Sequence, residues 1–188
     1  MFVYVIRHGE SETNLSKKWT GWLDVQLTEK GYEDAKKAAC FLKGITFDKI
    51  YTSDLKRAIQ TAQTAFPGCL YETSPLFREI NVGSISNQPF SVVTDDQRKY
   101  AAEFGYIEFD GESKEQFYSR IKQAMGELEK QDCKNVAVFS HGGFLRGMLD
   151  TVVGTYLPRG TICCDNCTIA IFEYLNEGWK LHSWINPL

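Results

Sequence analysis

The chain predicts an α/β fold with a mainly parallel central sheet and helices on both faces. Three observations carry that expectation. Short apolar runs of strand character alternate with amphipathic stretches of helical period, the pattern of successive βαβ units. Two of those runs, Phe2-Val3-Tyr4-Val5-Ile6 and Val136-Ala137-Val138-Phe139, end in near-mirror motifs, Arg7-His8-Gly9-Glu10 and Ser140-His141-Gly142-Gly143. The 188 residues hold no internal repeat, low-complexity tract or linker, so 1–188 reads as one domain with room for a substantial core. Within it, about 80–110 reads as a small cap-like insertion over the strand ends.

Each element has a local reason. Val3 to Ile6 is a buried strand, and Ser11 to Gln26 a polar loop carrying tryptophans. Thr28 caps a helix with Ala35, Ala38, Ala39 and Leu42 on its apolar side and Glu33, Asp34 and Lys36 on its wet side. Lys49 to Thr52 is a short strand, and Asp54 starts a helix that turns Leu55, Ala58, Ile59 and Ala62 inward. Cys69 to Tyr71 is a further strand candidate. Pro75 to Pro89 is irregular and charged, Phe90 to Phe104 helical, and Asp110-Gly111 a break. A long helix from about Ser113 to Gln131 places Phe117, Ile121, Ala124, Met125 and Leu128 on one face. Its mixed charges from Lys114 to Lys130 read as a solvated face. Asn135 to Phe139 is a strand and Phe144 to Val153 a helix. Thr168 to Tyr174 and Lys180 to Trp184 are strands joined by a turn at Asn176-Glu177-Gly178.

Composition narrows the function classes. With 24 acidic against 21 basic residues the net charge is −3, which offers no general attraction to nucleic acid or to an anionic membrane. No apolar run approaches the ~18 residues that span a bilayer. The N-terminus enters a strand at once, without the basic and small-residue flanks of a signal peptide. Cys40, Cys69, Cys133, Cys163, Cys164 and Cys167 therefore read as reduced thiols of a cytoplasmic protein. Cys164-Asp165-Asn166-Cys167 has the spacing of a metal or redox pair but lacks a matching second pair, so no metal is assigned and the cysteines read as small packing residues.

Ligands of open α/β sheets bind at the carboxyl ends of the strands, where both histidine motifs fall. A neutral imidazole at His8 is a competent nucleophile toward phosphorus, and Arg7 beside it offers a planar fork of donors matched to phosphate oxygens. Gly9 lets the backbone approach an anion. Arg57 lies in the first turn of a helix that follows a strand, aimed at the same crevice. Glu79, in the irregular segment, is a candidate proton donor for a leaving alcohol, with Glu10 next in line. Gly142 and Gly143, after His141, sit where a helix N-terminus favours anions. Trp19 and Trp22 are candidates for the pocket mouth, and His182, in the last strand, reads as structural.

Taken in order, Arg7-His8-Gly9-Glu10 with Asn14, Ser53-Asp54-Leu55-x-Arg57-Ala58, Arg78-Glu79-Ile80 and Ser140-His141-Gly142-Gly143 resemble the histidine phosphatase superfamily, which includes cofactor-dependent phosphoglycerate mutases. Gly21-Trp22-Leu23-Asp24, Leu27 to Gly31, Gly111-Glu112-Ser113, Asn166-Cys167-Thr168 and Gly178 to Leu181 agree with it. The resemblance implies that His8 is the phosphorylated nucleophile and that Arg7, Arg57 and His141 hold the phosphoryl group. It further implies that Asn14 donates to a phosphate oxygen and Glu79 serves as acid, then base. Thr20 and Gly21 match substrate-binding positions of mutases, and Glu10 and Gly142 complete the expected substrate contacts. Neither metal nor cofactor is implied, and the partner is a small phosphorylated substrate. Trp19-Thr20-Gly21-Trp22 leans toward mutases. The chain lacks, however, the long insertion that mutases carry after the acid, and Gly83 to Pro89 departs from the usual phosphatase stretch. The expectation is a phosphomonoesterase, with a phosphoglycerate mutase or a catalytically silent phospho-ligand binder as alternatives. Candidate substrates are a sugar phosphate, a phosphoglycerate, a phosphorylated cofactor precursor and a phosphoamino acid.

Overall fold

The computed structural model describes residues 1–158, 160–176 and 178–188. Six strands form one sheet: β1 (Phe2–Arg7), β2 (Lys49–Thr52), β3 (Glu72–Thr73), β4 (Asn135–Ser140), β5 (Ile169–Leu175) and β6 (Gly178–Ile185). Their order is β3-β2-β4-β1-β5-β6. The pairs β3/β2, β2/β4 and β4/β1 are parallel, and β1/β5 and β5/β6 antiparallel. This is the expected α/β architecture, mostly parallel, with an antiparallel edge. The helices are α1 (Glu12–Leu15), α2 (Glu29–Phe41), α3 (Lys56–Ala65), α4 (Asp95–Phe104), α5 (Lys114–Glu129) and α6 (Gly142–Val153).

Strand alternation divides the core into two layers. Val3, Val5, Val136 and Val138 point to one face, where they pack with Phe117, Ile121, Leu128, Leu145 and Met148 of α5 and α6. Ile6, Ala137 and Phe139 point to the other, against Leu42 and against Ala62 and Ala65 of α3. Because both faces are covered, the central strands are apolar throughout rather than alternating. All five apolar residues expected along α5 are buried.

This arrangement creates a crevice. The chain leaving β1 passes to the α2 and α3 face, whereas the chain leaving β4 enters α6 on the opposite face. Neighbouring strands whose connections diverge leave an opening at their carboxyl ends. The β1/β4 register sets Arg7 opposite Ser140, so His8 and His141 emerge from the sheet at the same height. The β2/β4 register sets Thr52 opposite Phe139 and delivers the Ser53-to-Arg57 segment to the same edge.

Several elements differ from the sequence expectation. The loop from Ser11 to Gln26 contains α1, closed by a capping box between Ser11 and Asn14. Asp34 is buried rather than wet, because Lys30 pairs with it at 2.7 Å. The third strand does not form at Cys69–Tyr71, where Leu70 is 93% exposed, but directly after it, as Glu72–Thr73 paired with Tyr51 and Thr52 of β2. Phe90 to Phe104 splits into a short 3-10 turn (Phe90–Val92) and α4, whose start is set by a Thr94/Gln97 capping box. The helix after His141 begins at Gly142, not Phe144. The Asn176-Glu177-Gly178 turn includes Glu177, which lies outside the described residues, although Leu175 pairs with Gly178 as a hairpin requires.

The first turn of α2 packs directly on the loop after β1. A β-carbon on Gly31 would lie 2.1 Å from the Glu10 carbonyl oxygen, and one on Gly9 2.3 Å from that of Gly31. Alanine ordinarily gains about 1 kcal/mol over glycine inside a helix, but overpacking costs about 1–3 kcal/mol. Here both sides of the contact are backbone, so overpacking wins. Gly31→Ala is therefore expected to lower the urea midpoint; an unchanged or raised midpoint would refute the close approach.

Candidate active site

His8 leaves β1 almost fully buried. Its Nδ1 lies 2.7 Å from the Gly9 carbonyl oxygen, which can only accept, so Nδ1 carries the proton and Nε2 the lone pair. The Arg57 Nε–H donates to that Nε2 at 3.2 Å. The backbone around His8 is tied on every side. Its N–H donates to the Ser140 carbonyl at 2.9 Å, and its own carbonyl accepts from Cys167 N–H at 3.2 Å and Asn166 Nδ2 at 3.1 Å. The ring therefore projects from a rigid strand end.

Arg57 has no exposed surface. Its other nitrogens donate to the carbonyls of Leu23 and Gly21, both at 2.9 Å. Burial lowers its pKa to about 10, which still leaves a cation at neutral pH. His141 is equally buried, its ring centroid 5.2 Å from that of His8. Burial first, then the Arg57 and Arg7 charges, hold the His8 imidazole well below the usual histidine range. His141 is depressed by burial, Arg57, His8 and Arg7 in that order. Both rings are thus neutral bases among permanent cations.

Hydrogen-bonding capacity is left over at this place. Both ring nitrogens of His141 and the Nε of Arg7 are buried without a partner. Arg7 donates once, from its terminal nitrogen, to the Cys164 carbonyl. Buried polar atoms are nearly always satisfied, so a cluster of orphans beside two guanidinium groups describes a seat for an anion.

Glu79 stands across the seat. One of its carboxylate oxygens accepts the N–H of Ile80 at 2.9 Å, the other the N–H of Gly143 at 3.1 Å. The N-terminus of α6 thus holds a protein carboxylate. A β-carbon on Gly143 would lie 1.9 Å from Glu79 Oε1, so only glycine permits this approach.

A cavity of about 510 Å³ has Arg7, Asn14, Thr20, Gly21, Glu79 and Gly142 on its wall, whereas His8, Arg57 and His141 lie buried behind that wall rather than on it. Apolar groups from 80–110, among them Ile80, Val82, Phe90 and Tyr106, contribute to the wall, as do Phe117, Leu149, Leu157 and Ile162. Of the expected pocket-mouth tryptophans, Trp19 is on the wall, while Trp22 donates to the Glu79 carbonyl at 2.6 Å. The Asn14 side-chain oxygen accepts from Ser11 and Asn166, which leaves its NH2 as a donor. Gly21 also serves Arg57, because its φ of +51° turns its carbonyl onto the guanidinium.

Some expectations need correction. Glu10 is absent from the cavity wall; its carboxylate accepts from Thr28 at 2.8 Å and faces Lys30. Gly9 gives its bare face to Gly31 rather than to the seat. The charged side of α5 is not wholly solvated, because Arg120 and Glu112 form a largely buried pair at 2.8 Å. Cys164 and Cys167 are buried thiols raised by desolvation, Cys167 to about 12, as packing cysteines should be. His182 packs edge-on against Phe2 on the last strand.

Sequence reasoning assigned no role to Arg120, Asn166 or Arg146. Asn166 carried a signal in its strand-start motif. Arg146, on the cavity wall with its Nε buried and unpartnered, lies one helical turn beyond Gly142. Arg120 looked like any charge on a helix face.

Comparison with known proteins agrees with this geometry. The sequence description of the histidine phosphatase superfamily (branch 1) matches residues 3–187. A probable phosphoglycerate mutase GpmB of Enterobacter sp. is 28% identical, over 97% of this chain and 89% of its own. A broad-specificity phosphatase of Saccharomyces cerevisiae is 29% identical, over 93% and 80%. Among solved structures, a point mutant of the phosphoserine phosphatase of Entamoeba histolytica, in complex with phosphoserine, has a TM-score of 0.84 at 25% identity. That match covers 99% of this chain and 97% of the other. A phosphoglycerate mutase of Bacillus anthracis shares the fold with a TM-score of 0.85 at 23% identity, over 97% and 92%. Paired histidines at adjacent parallel strand ends, flanked by buried arginines, and a match spanning nearly the whole sequence lead to one assignment: the chain belongs to the histidine phosphatase superfamily, branch 1.

Proposed function

We propose that the protein is a metal-independent phosphomonoesterase acting on a small phosphorylated metabolite through a phosphohistidine. The observation that carries this reading is the neutral His8 with its Nε2 lone pair set among Arg7, Arg57 and the unpartnered His141. A phosphate ester entering the seat takes over the Arg57 hydrogen bond and frees the His8 Nε2 lone pair. Nε2 attacks phosphorus, the ester P–O bond breaks, and Glu79 delivers a proton to the departing oxygen. Arg7, Arg57 and His141 stabilise the charge on the equatorial oxygens. Glu79, now a carboxylate, takes a proton from water; the water oxygen attacks phosphorus, the P–N bond breaks and inorganic phosphate leaves. Asn14, Thr20, Gly21 and Gly142 hold the substrate. Side chains supply all the positive charge this scheme requires.

Hydrolysis is favoured over mutase chemistry by the segment after Glu79. A mutase must keep its phosphohistidine dry until the intermediate has reoriented. Between Glu79 and Gly111 this chain has one ten-residue helix and three short 3-10 turns, a wall for the cavity rather than a long lid.

Three expectations test the proposal. His8→Ala should remove nearly all turnover of phosphomonoesters while the fold survives, and acid-labile, alkali-stable phosphate should be trapped on the wild type; a chelator should leave its rate unchanged. Full activity in the variant, or loss on chelation with recovery on adding zinc or magnesium, would overturn the scheme. A pKa lowered from 6.5 means that the imidazole stays neutral as pH falls through 6.5. NMR titration of the His8 and His141 ring protons should therefore show midpoints well below 6.5, against an ordinary midpoint for His8 if the burial argument fails. Offered 3-phosphoglycerate with a trace of 2,3-bisphosphoglycerate, the enzyme should release phosphate far faster than it forms 2-phosphoglycerate; the opposite partition would establish the mutase reading.

A further inference from the structure

Arg120 occupies the middle of α5 and is largely buried, but none of its side-chain hydrogen bonds stays within the helix. One terminal nitrogen donates to the carbonyls of Leu76 at 3.0 Å and Arg78 at 2.8 Å. The other donates to the carbonyl of Glu79 at 3.0 Å and to Glu112 Oε2 at 2.8 Å, while Nε donates to Glu112 Oε1 at 2.9 Å. Glu112 in turn accepts the N–H of Asn81 at 3.1 Å, and its own N–H donates to the Asn81 carbonyl at 2.9 Å. One guanidinium and its carboxylate partner therefore grip four residues, Leu76, Arg78, Glu79 and Asn81, on both sides of the Glu79 side chain. Outside its 3-10 turns this segment has no ladder of its own to fix its backbone.

We infer that Arg120 is a positioning residue for Glu79: the bidentate Arg120–Glu112 pair sets the Glu79 backbone so that its carboxyl group meets the leaving oxygen. The inference rests on the proposed acid role of Glu79. The planar guanidinium fork is what the site uses, since an ammonium cannot reach three carbonyls and a bidentate carboxylate at once. Misplacing a catalytic group by an ångström costs about 10²-fold in rate. That cost should fall where a proton is needed. An alkoxide leaving group needs one and an aryl oxide barely does, so Arg120 variants should discriminate between the two, whereas a purely structural role would lower both alike.

The test compares kcat/KM for glycerol 2-phosphate and p-nitrophenyl phosphate in Arg120→Lys, Glu112→Gln and Glu79→Gln. This parameter reports steps only through P–O cleavage, so impaired dephosphorylation, which lowers kcat on both esters, does not obscure it. Arg120→Lys should lose about 10²-fold on the glycerol ester and little on the aryl ester. Glu112→Gln leaves the carbonyl contacts in place and should show a smaller loss with the same selectivity. If Arg120→Lys fails to fold, Glu112→Gln carries the same readout. Selectivity in Glu79→Gln with equal or no losses in the Arg120 and Glu112 variants overturns the positioning role alone. Equal losses in Glu79→Gln overturn the acid assignment and the positioning role together.

Discussion

The parallel pairing of β1 with β4 is the constraint on which the site depends. Side chains on a strand alternate, so a one-residue slip would turn the apolar set of one strand to the wrong face. The two layers of core oppose that slip: Val3 and Val5 share one face with Val136 and Val138, Ile6 the other with Ala137 and Phe139. The same register that fills the core holds His8 and His141 level. Two residues separated by most of the chain are thereby placed with rings 5.2 Å apart, by packing forces that act well below the site.

Concentrating cations there is costly, and the structure offsets the cost with neutral dipoles. A buried arginine paired with a carboxylate would have its charge already answered. Arg57 instead donates to two carbonyls and an imidazole, which solvate it without neutralising it. Arg7 likewise donates to a carbonyl. The Glu79 carboxylate is held by backbone N–H groups of Ile80 and Gly143 rather than by hydrogen bonds to these arginines. The positive potential stays available for a ligand and, after burial, it adds to what keeps both imidazoles neutral.

Much of this was legible in the sequence, because the informative signals are local. A strand followed by Arg-His-Gly or Ser-His-Gly-Gly states both the element and the place on it. The apolar face of α5, from Phe117 to Leu128, could be read from periodicity alone. What escaped notice depends on contacts between distant segments. Asp34 and Arg120 have the ordinary appearance of charges on amphipathic helices, yet both are largely buried, Arg120 against the distant Leu76-to-Glu79 backbone and Glu112. Gly9 and Gly31 each look like conformational devices, yet their smallness serves one mutual contact. The short edge strand was misplaced because Leu70 suggested burial that the sheet edge does not provide. Glu10 had the right motif but the wrong direction: although it lies two residues from His8 in sequence, its carboxylate turns to Thr28.

The segment bearing Glu79 poses the opposite problem to the histidines, since no register fixes it. It is secured by side chains from several elements. Ser140 Oγ donates to the Phe77 carbonyl at 2.6 Å, which ties the segment to the strand end that carries His141. Arg78 pairs with Asp54 ahead of α3 and stacks on Trp22, whose indole N–H takes the Glu79 carbonyl. Arg120 and Glu112 grip the remaining groups. The Arg120 and Glu112 ties reach from Leu76 to Asn81, across Glu79 and Ile80, which line the cavity together with Val82, Phe90, Ala101 and Tyr106. The Glu79 backbone is therefore held by groups other than the later wall residues Val82, Phe90, Ala101 and Tyr106. The wall can change in size and polarity without displacing the carboxyl group, because the bonds that place that group come from the sheet end, α5 and the Trp22 loop.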